Sequence, residues 1–147
     1  MAPTIYSEIL AKNIKALRSR AGIEQETAAV RMRNLGFTEW VRQTVSKVER
    51  GERRVTAEEA YGLAFVLDTT LSQLLAPREE DAVVEFRADG PPIPVETMQL
   101  SAMGQWVHGA FRWDDDNPVF LKSPPIVVNI AAQRLAGGGP PVRRAGG

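Results

Sequence analysis

Apolar residues recur at helical spacing through the first half of the chain and lose that rhythm in the second. Ile5, Ile9, Leu10, Ile14 and Leu17 mark one face of a helix over Thr4–Arg20, with Lys12, Lys15 and Arg18 between them. Ala21-Gly22 stops it. Ile23 turns inward, and Glu24-Gln25-Glu26 opens a second helix with carboxylates in its first turn, where the helix dipole favours them. Ala28, Ala29 and Met32 are its inner face, small enough for another helix to approach closely. Asn34–Trp40 interrupts the pattern as a loop that Phe37 and Trp40 pin to the body.

A short helix over Val41–Arg50 follows. Val41, Val45 and Val48 fall on one narrow stripe, and Arg42, Gln43, Ser46, Lys47 and Arg50 fill the opposite face. Gly51 follows, where a helix end tolerates positive φ. Thr56, three residues before Glu59, predicts a capping box. Ala60, Leu63, Ala64 and Leu67 then face the core until Asp68-Thr69 breaks the helix. Thr70 caps a last short helix over Leu71–Ala76, and Pro77 closes the unit. Five helices in this length predict an all-α domain over residues 1–76.

Beyond it the pattern is mixed. Arg78–Asp81 reads as a charged linker and Ala82–Arg87, with Val83, Val84 and Phe86, as a strand. Asp89-Gly90-Pro91-Pro92 is a turn. Pro94–Phe111 fits a helix with Val95, Met98, Ala102, Trp106 and Ala110 on one face, against a competing strand reading of Trp106–Trp113. Ser123-Pro124-Pro125 predicts the start of a helix over Ile126–Ala136. The Gly/Pro/Arg stretch 137–147 is expected to be disordered. The expected class is mainly α, with a small C-terminal α or α+β appendage over residues 77–136.

Composition narrows the function. Hydrophobic residues make up 44% of the 147, enough for a core, and there is no cysteine for disulfides or thiolate metal sites. No apolar run reaches the roughly 18 residues of a membrane span, and Met1–Thr4 lacks a signal-peptide pattern, so a cytoplasmic location is expected. Net charge is zero but unevenly placed: Lys12–Arg54 carries 11 Lys/Arg against five Glu, a balance of +6. That local excess surrounds the helix at 41–50, as a nucleic-acid footprint would. Asp114-Asp115-Asp116 suggests a metal, but adjacent carboxylates on extended chain point apart and no His/Cys set supports them, so a solvated loop is the better reading. His108, the one histidine, has no identifiable catalytic partner. No glycine-rich phosphate loop or nucleophile motif occurs, so neither enzyme chemistry nor a cofactor is expected.

The ordered pieces Leu17-Arg18, Ala21-Gly22-Ile23, Gln25-Glu26, Thr44–Gly51 and Leu67–Leu75 resemble the phage-repressor helix-turn-helix family, the Cro and lambda-repressor type, also called the xenobiotic-response-element family. The resemblance implies a five-helix, lambda-repressor-like DNA-binding domain. Its third helix would lie in the major groove, with Arg42, Gln43 and Lys47 at base edges, Thr44 and Ser46 reaching phosphate or sugar, and Arg50 on the same DNA-facing helix. Gln25, Arg53 and Arg54 match the family's backbone contacts, and Arg18 with Glu49 its internal ion pair. The segment between the two motif helices is longer than the family's, an expanded turn at Asn34–Trp40, which bears on the docking angle.

The resulting expectation is a sequence-specific transcriptional regulator, a repressor, that binds double-stranded DNA as a homodimer. The alternative is an antitoxin-like regulator whose C-terminal region sequesters a protein partner. Residues 77–136 are expected to supply the dimer or partner contact.

Overall fold

The computed structural model describes residues 3–78, 83–105 and 111–121. Its N-terminal part is helical. Helix α1 spans Tyr6–Arg20, α2 Gln25–Asn34, α3 Arg42–Glu49, α4 Ala57–Val66 and α5 Leu71–Leu75. All five expected helices are present. Gly22 and Gly51 take positive φ (68° and 72°) just past α1 and α3, as the helix-stop reading required. Asp68 does the same after α4 at φ 52°, a conformation that costs a non-glycine residue but that Asp tolerates.

One core joins the five helices. Ile14 and Leu17 of α1, Ala28, Ala29 and Met32 of α2, Val45 and Val48 of α3, Leu63, Ala64 and Val66 of α4 and Leu74 of α5 are buried in a single cluster with Trp40. Fully burying a side chain such as Leu, Val or Met is worth roughly 1.5–3 kcal/mol. Side chains of α1 also satisfy the end of α5. The buried Asn13 amide donates to the Leu74 and Ala76 carbonyls (3.0 and 2.8 Å), and the Tyr6 hydroxyl donates to the Leu75 carbonyl at 2.8 Å. These carbonyls have no partner within a helix that has ended.

Helix boundaries differ from the expectation at several ends: α3 is one residue shorter at each end and α5 stops at Leu75. The first helix starts at Tyr6, because Thr4–Ile5 forms a short strand, β1, with Ile5 extended at ψ 134°. Both residues are β-branched, and a strand partner was available: β1 pairs in parallel with β2 (Val83–Glu85), Thr4 opposite Val84. Helix α2 continues through Asn34 instead of ending before it.

The C-terminal region is α+β. Strand β2 also pairs antiparallel with β3 (Ile93–Pro94), making a three-stranded sheet in the order β1-β2-β3. Val84, Ile93 and Val95 are buried there. Helix α6 spans only Val95–Ala102 and ends before Gly104 (φ 73°), so the long helix Pro94–Phe111 does not form. The alternating reading wins for its end: β4 (Phe111–Asp114) and β5 (Asn117–Phe120) form a hairpin. Asp115 and Asp116 are its two-residue turn, both at positive φ (44° and 63°), the geometry that matches strand twist. Of the aspartate run, Asp114 ends β4 and the other two form the turn; among the described residues no cluster of His, Cys, Asp or Glu could hold a metal. Trp106, His108, Ala110, the expected helix 126–136 and the tail 137–147 lie outside the described residues. Among the described residues no helix is long and apolar enough to cross a membrane.

Candidate nucleic-acid interface

Helix α3 is two-faced because two valines hold it to the core. Val45 and Val48 are about fully buried (1% and 2% exposed), which turns Arg42, Gln43 and Lys47 to solvent. Among the described residues, neither these three nor Arg54 makes a side-chain hydrogen bond or ion pair, so four long polar side chains stand ready for an external partner. Val41 was expected on the buried stripe and is not there. It is the N-cap, extended at φ −124° and ψ 173°, so the helical stripe does not reach it and its side chain is 45% exposed.

The other expected contact residues already have internal partners. The Thr44 hydroxyl accepts from the Val41 amide at 3.1 Å, holding the first turn of α3. The Ser46 hydroxyl accepts from Arg50 Nη1 at 2.8 Å, and Arg50 makes a forked pair with Glu52, both bonds 3.0 Å. That pair is exposed, so its two groups each favour their charged form: the Glu52 carboxyl lies below its ordinary range and the Arg50 guanidinium above it, chiefly through their mutual hydrogen bond. Gln25 sits in the first turn of α2 and donates through Nε2 to Glu49 Oε2 at 2.9 Å.

Glu49 is the hinge of a buried charge group. Its carboxylate is 3% exposed and receives Arg18 in fork geometry, Nε to Oε1 and Nη2 to Oε2 at 3.2 Å. Arg18 Nη1 donates to the Ile23 carbonyl as well, at 2.8 Å. The ion pair expected from the family resemblance is present, and it ties α1, α3 and the α1–α2 turn together. Arg18 is therefore spent inside the domain.

A second knot surrounds the expanded turn; Trp40 as its anchor and the Thr56–Glu59 box were expected, their meeting with Arg53 was not. Trp40 is wholly buried, and its indole Nε1 donates to Glu59 Oε2 at 2.6 Å. Arg53 lies over the indole ring, 5.0 Å from its centroid, and donates to the same Glu59 oxygen at 2.8 Å. The other oxygen, Oε1, accepts from the Thr56 amide at 3.0 Å and completes the capping box of α4. Burial pushes the Glu59 carboxyl up, but the hydrogen bonds from Arg53, Thr56 and Trp40 outweigh it and hold the group below the usual carboxylate range. The Trp40 carbonyl accepts from Arg33 Nη1 at 2.6 Å. The residue just before the N-cap of α3 is therefore fixed from both ends.

Gly62 completes this arrangement. A Cβ there would stand 2.8 Å from Phe37 Cε2, so with any other residue the Phe37 ring would have to shift from its place against α4. A glycine inside the apolar run Ala60–Leu67 was the available signal for such a close approach.

Solved structures similar to this chain all align with about half of it. One is a hypothetical transcription factor, NHTF, from Neisseria: 28% identical, covering 51% of this chain and 79% of that one, TM-score 0.44. Another is the restriction-modification controller protein C.AhdI from Aeromonas hydrophila: 29% identical, covering 46% of this chain and 94% of that one, TM-score 0.41. A third is the DNA-binding domain of BldD: 24% identical, covering 48% of this chain and 93% of that one, TM-score 0.39. No protein-family model matches the chain. No curated protein matches it either.

Proposed function

We propose that the protein is a sequence-specific, DNA-binding transcriptional regulator, a repressor that occupies an operator with α3 in the major groove. The observation that carries this reading is the outward face of α3. Arg42, Gln43 and Lys47 are exposed and unpaired within the described chain, on a helix whose inner face is locked into the core. Arg can fork onto guanine and Gln onto adenine, while Lys is a point charge for either base edge or phosphate. Arg54 is a backbone contact. Arg50, Arg53, Thr44, Ser46 and Gln25 can add to the contact only by sharing or leaving their present partners. A DNA partner puts the protein in the cytoplasm or nucleoid.

Residues 77–136 serve dimerisation. One reading helix covers few base pairs, and two-fold dimers address two half-sites about 34 Å apart. The exposed aromatic side chains of the hairpin, Phe111 and Trp113, favour a protein contact in this region. The same observation supports the second reading, an antitoxin-like regulator whose C-terminal region takes a different protein.

Binding to duplex DNA tests the first reading. Affinity is expected to fall by orders of magnitude between roughly 50 and 300 mM salt, because Lys/Arg–phosphate contacts release counterions. Gln43→Ala should cost about 1–3 kcal/mol on a selected site and relax preference at one base pair, whereas Arg54→Ala weakens all sequences alike. A salt-independent affinity, or no duplex binding at all, overturns the reading. Sedimentation of the full chain with a palindrome and with a half-site separates homodimer from partner binder.

A further inference from the structure

The start of α3 breaks a local rule. Its N-cap is valine, whose side chain offers no acceptor to the amides of the first turn, so no side-chain cap bond is made there and only the Val41 carbonyl accepts, from the Thr44 amide at 2.9 Å. Ser, Thr, Asp or Asn at this position would stabilise the helix. α4 and α5 follow the rule, Thr56 and Thr70 accepting from the amides of Glu59 and Gln73, whereas α1, α2 and α6 start without a side-chain cap as α3 does. Val41 does not compensate by packing, since it is 45% exposed, while Trp40 beside it is wholly buried. What sets Val41 apart is that, among the N-caps of the described helices, it is the apolar one left exposed, Ile5 and Pro94 being half-buried and Glu24, Thr56 and Thr70 polar.

We infer that Val41 is a base-reading residue that recognises the C5-methyl group of thymine. This rests on the DNA-binding reading above. In helices that enter the major groove, N-terminal residues reach the base edges, and Val41 precedes the exposed Arg42 and Gln43. The thymine methyl is the apolar group on the floor of that groove, and small apolar side chains contact it. Discriminating one methyl needs a side chain that does not move. Val41 is β-branched and stiff at χ1. Its amide donates to Thr44 Oγ1 at 3.1 Å, and Trp40 before it is held by Glu59 at the indole and by Arg33 at the carbonyl. The anchored turn thus gives an apolar probe a fixed place just ahead of two polar readers.

The test uses the full chain. Sites are selected from a random duplex pool, and each thymine of the selected site is replaced in turn by deoxyuridine, which removes only the methyl group. Wild type should lose about three- to fivefold in affinity at one thymine of each half-site, the worth of one buried apolar carbon. Val41→Ser should bind the thymine and deoxyuridine forms of that position equally. It should melt at the same temperature as wild type or higher, because serine is the better N-cap. Val41→Ala is the second variant and should lose the same discrimination. The inference is overturned if wild type is indifferent at every thymine, or if both variants keep the wild-type ratio. Failure of wild type to select any site removes the DNA-binding reading itself, a result distinct from either of these.

Discussion

The helical unit and the C-terminal hairpin are built from similar residues and held by different means. Trp40 and Trp113 make the contrast concrete. Trp40 is completely enclosed, its N–H on Glu59 and its ring beneath Arg53. Trp113 is 65% exposed and has an edge-on contact to Phe111 at 5.6 Å, and every residue of its strand is exposed. The buried polar groups of the helical unit are nearly all matched. Glu49, Glu59 and Asn13 each make two or more hydrogen bonds. The unpartnered buried side-chain atom among the described residues, Thr97 Oγ1, lies in α6 instead. Large aromatic area confers stability only where something encloses it; left open, it is surface for another molecule.

Truncation of the two tryptophans should break the comparison most sharply. Trp40→Ala empties a core site and leaves Glu59 short of a donor, so denaturant unfolding should show a loss of about 3–5 kcal/mol. A loss under about 1 kcal/mol would mean that the turn is not anchored there. Next in size is Arg18→Ala, which strands the Glu49 carboxylate in the interior and should cost about 3 kcal/mol. Thermal melting at low and high salt checks it: a buried pair is screened little, whereas an exposed one such as Arg50–Glu52 is screened strongly.

Acid should act on the same region. The Glu59 carboxyl is held below its ordinary value in the fold, so it contributes stability above the unfolded-state pKa and loses it as pH falls through the folded one. Glu59→Gln should flatten the part of the stability profile that lies below pH 4.5, the group's ordinary value. In the sheet, Val84→Ala removes two methyl groups from a fully buried position and should cost about 1.5–2 kcal/mol. The smallest effect belongs to Trp113→Ala. On the isolated chain it should shift stability by no more than about 0.5 kcal/mol, as expected of an exposed site. If it lowers the melting temperature at high protein concentration but not at low, the hairpin is covered in an oligomer.

The helices were legible because their signals are local. Spacing, the Thr56–Glu59 and Thr70 caps, and Gly22 and Gly51 place five elements within a residue or two. The Arg18–Glu49 pair was legible only through a family resemblance, since nothing in the spacing of residues 31 apart announces a contact. What stayed hidden depends on which groups meet in space. Val41 follows the helical stripe in sequence but sits one residue outside the helix, so its exposure could not be read from periodicity. Arg53 was expected on the DNA backbone, and nothing local in the sequence shows that Trp40 and Glu59 stand beside it. The pairing of Thr4–Ile5 with Val84–Glu85 joins segments about 80 residues apart, beyond any local pattern. The strand at Phe111–Asp114 was ambiguous because a short apolar run fits either period.

Gly62 has a consequence for how such domains can be rebuilt. The lengthened turn lies where it does with no Cβ on α4 at the point where the Phe37 ring arrives. Turn length, the aromatic residues at 37 and 40, the carboxylate at 59 and the glycine at 62 therefore form one transplantable cassette. Moved alone into a helix-turn-helix scaffold with a short turn, residues 35–41 would collide with α4. Moved together with Glu59 and Gly62, they should carry their docking angle with them. The same set of positions is a search pattern for other chains that present their reading helix this way.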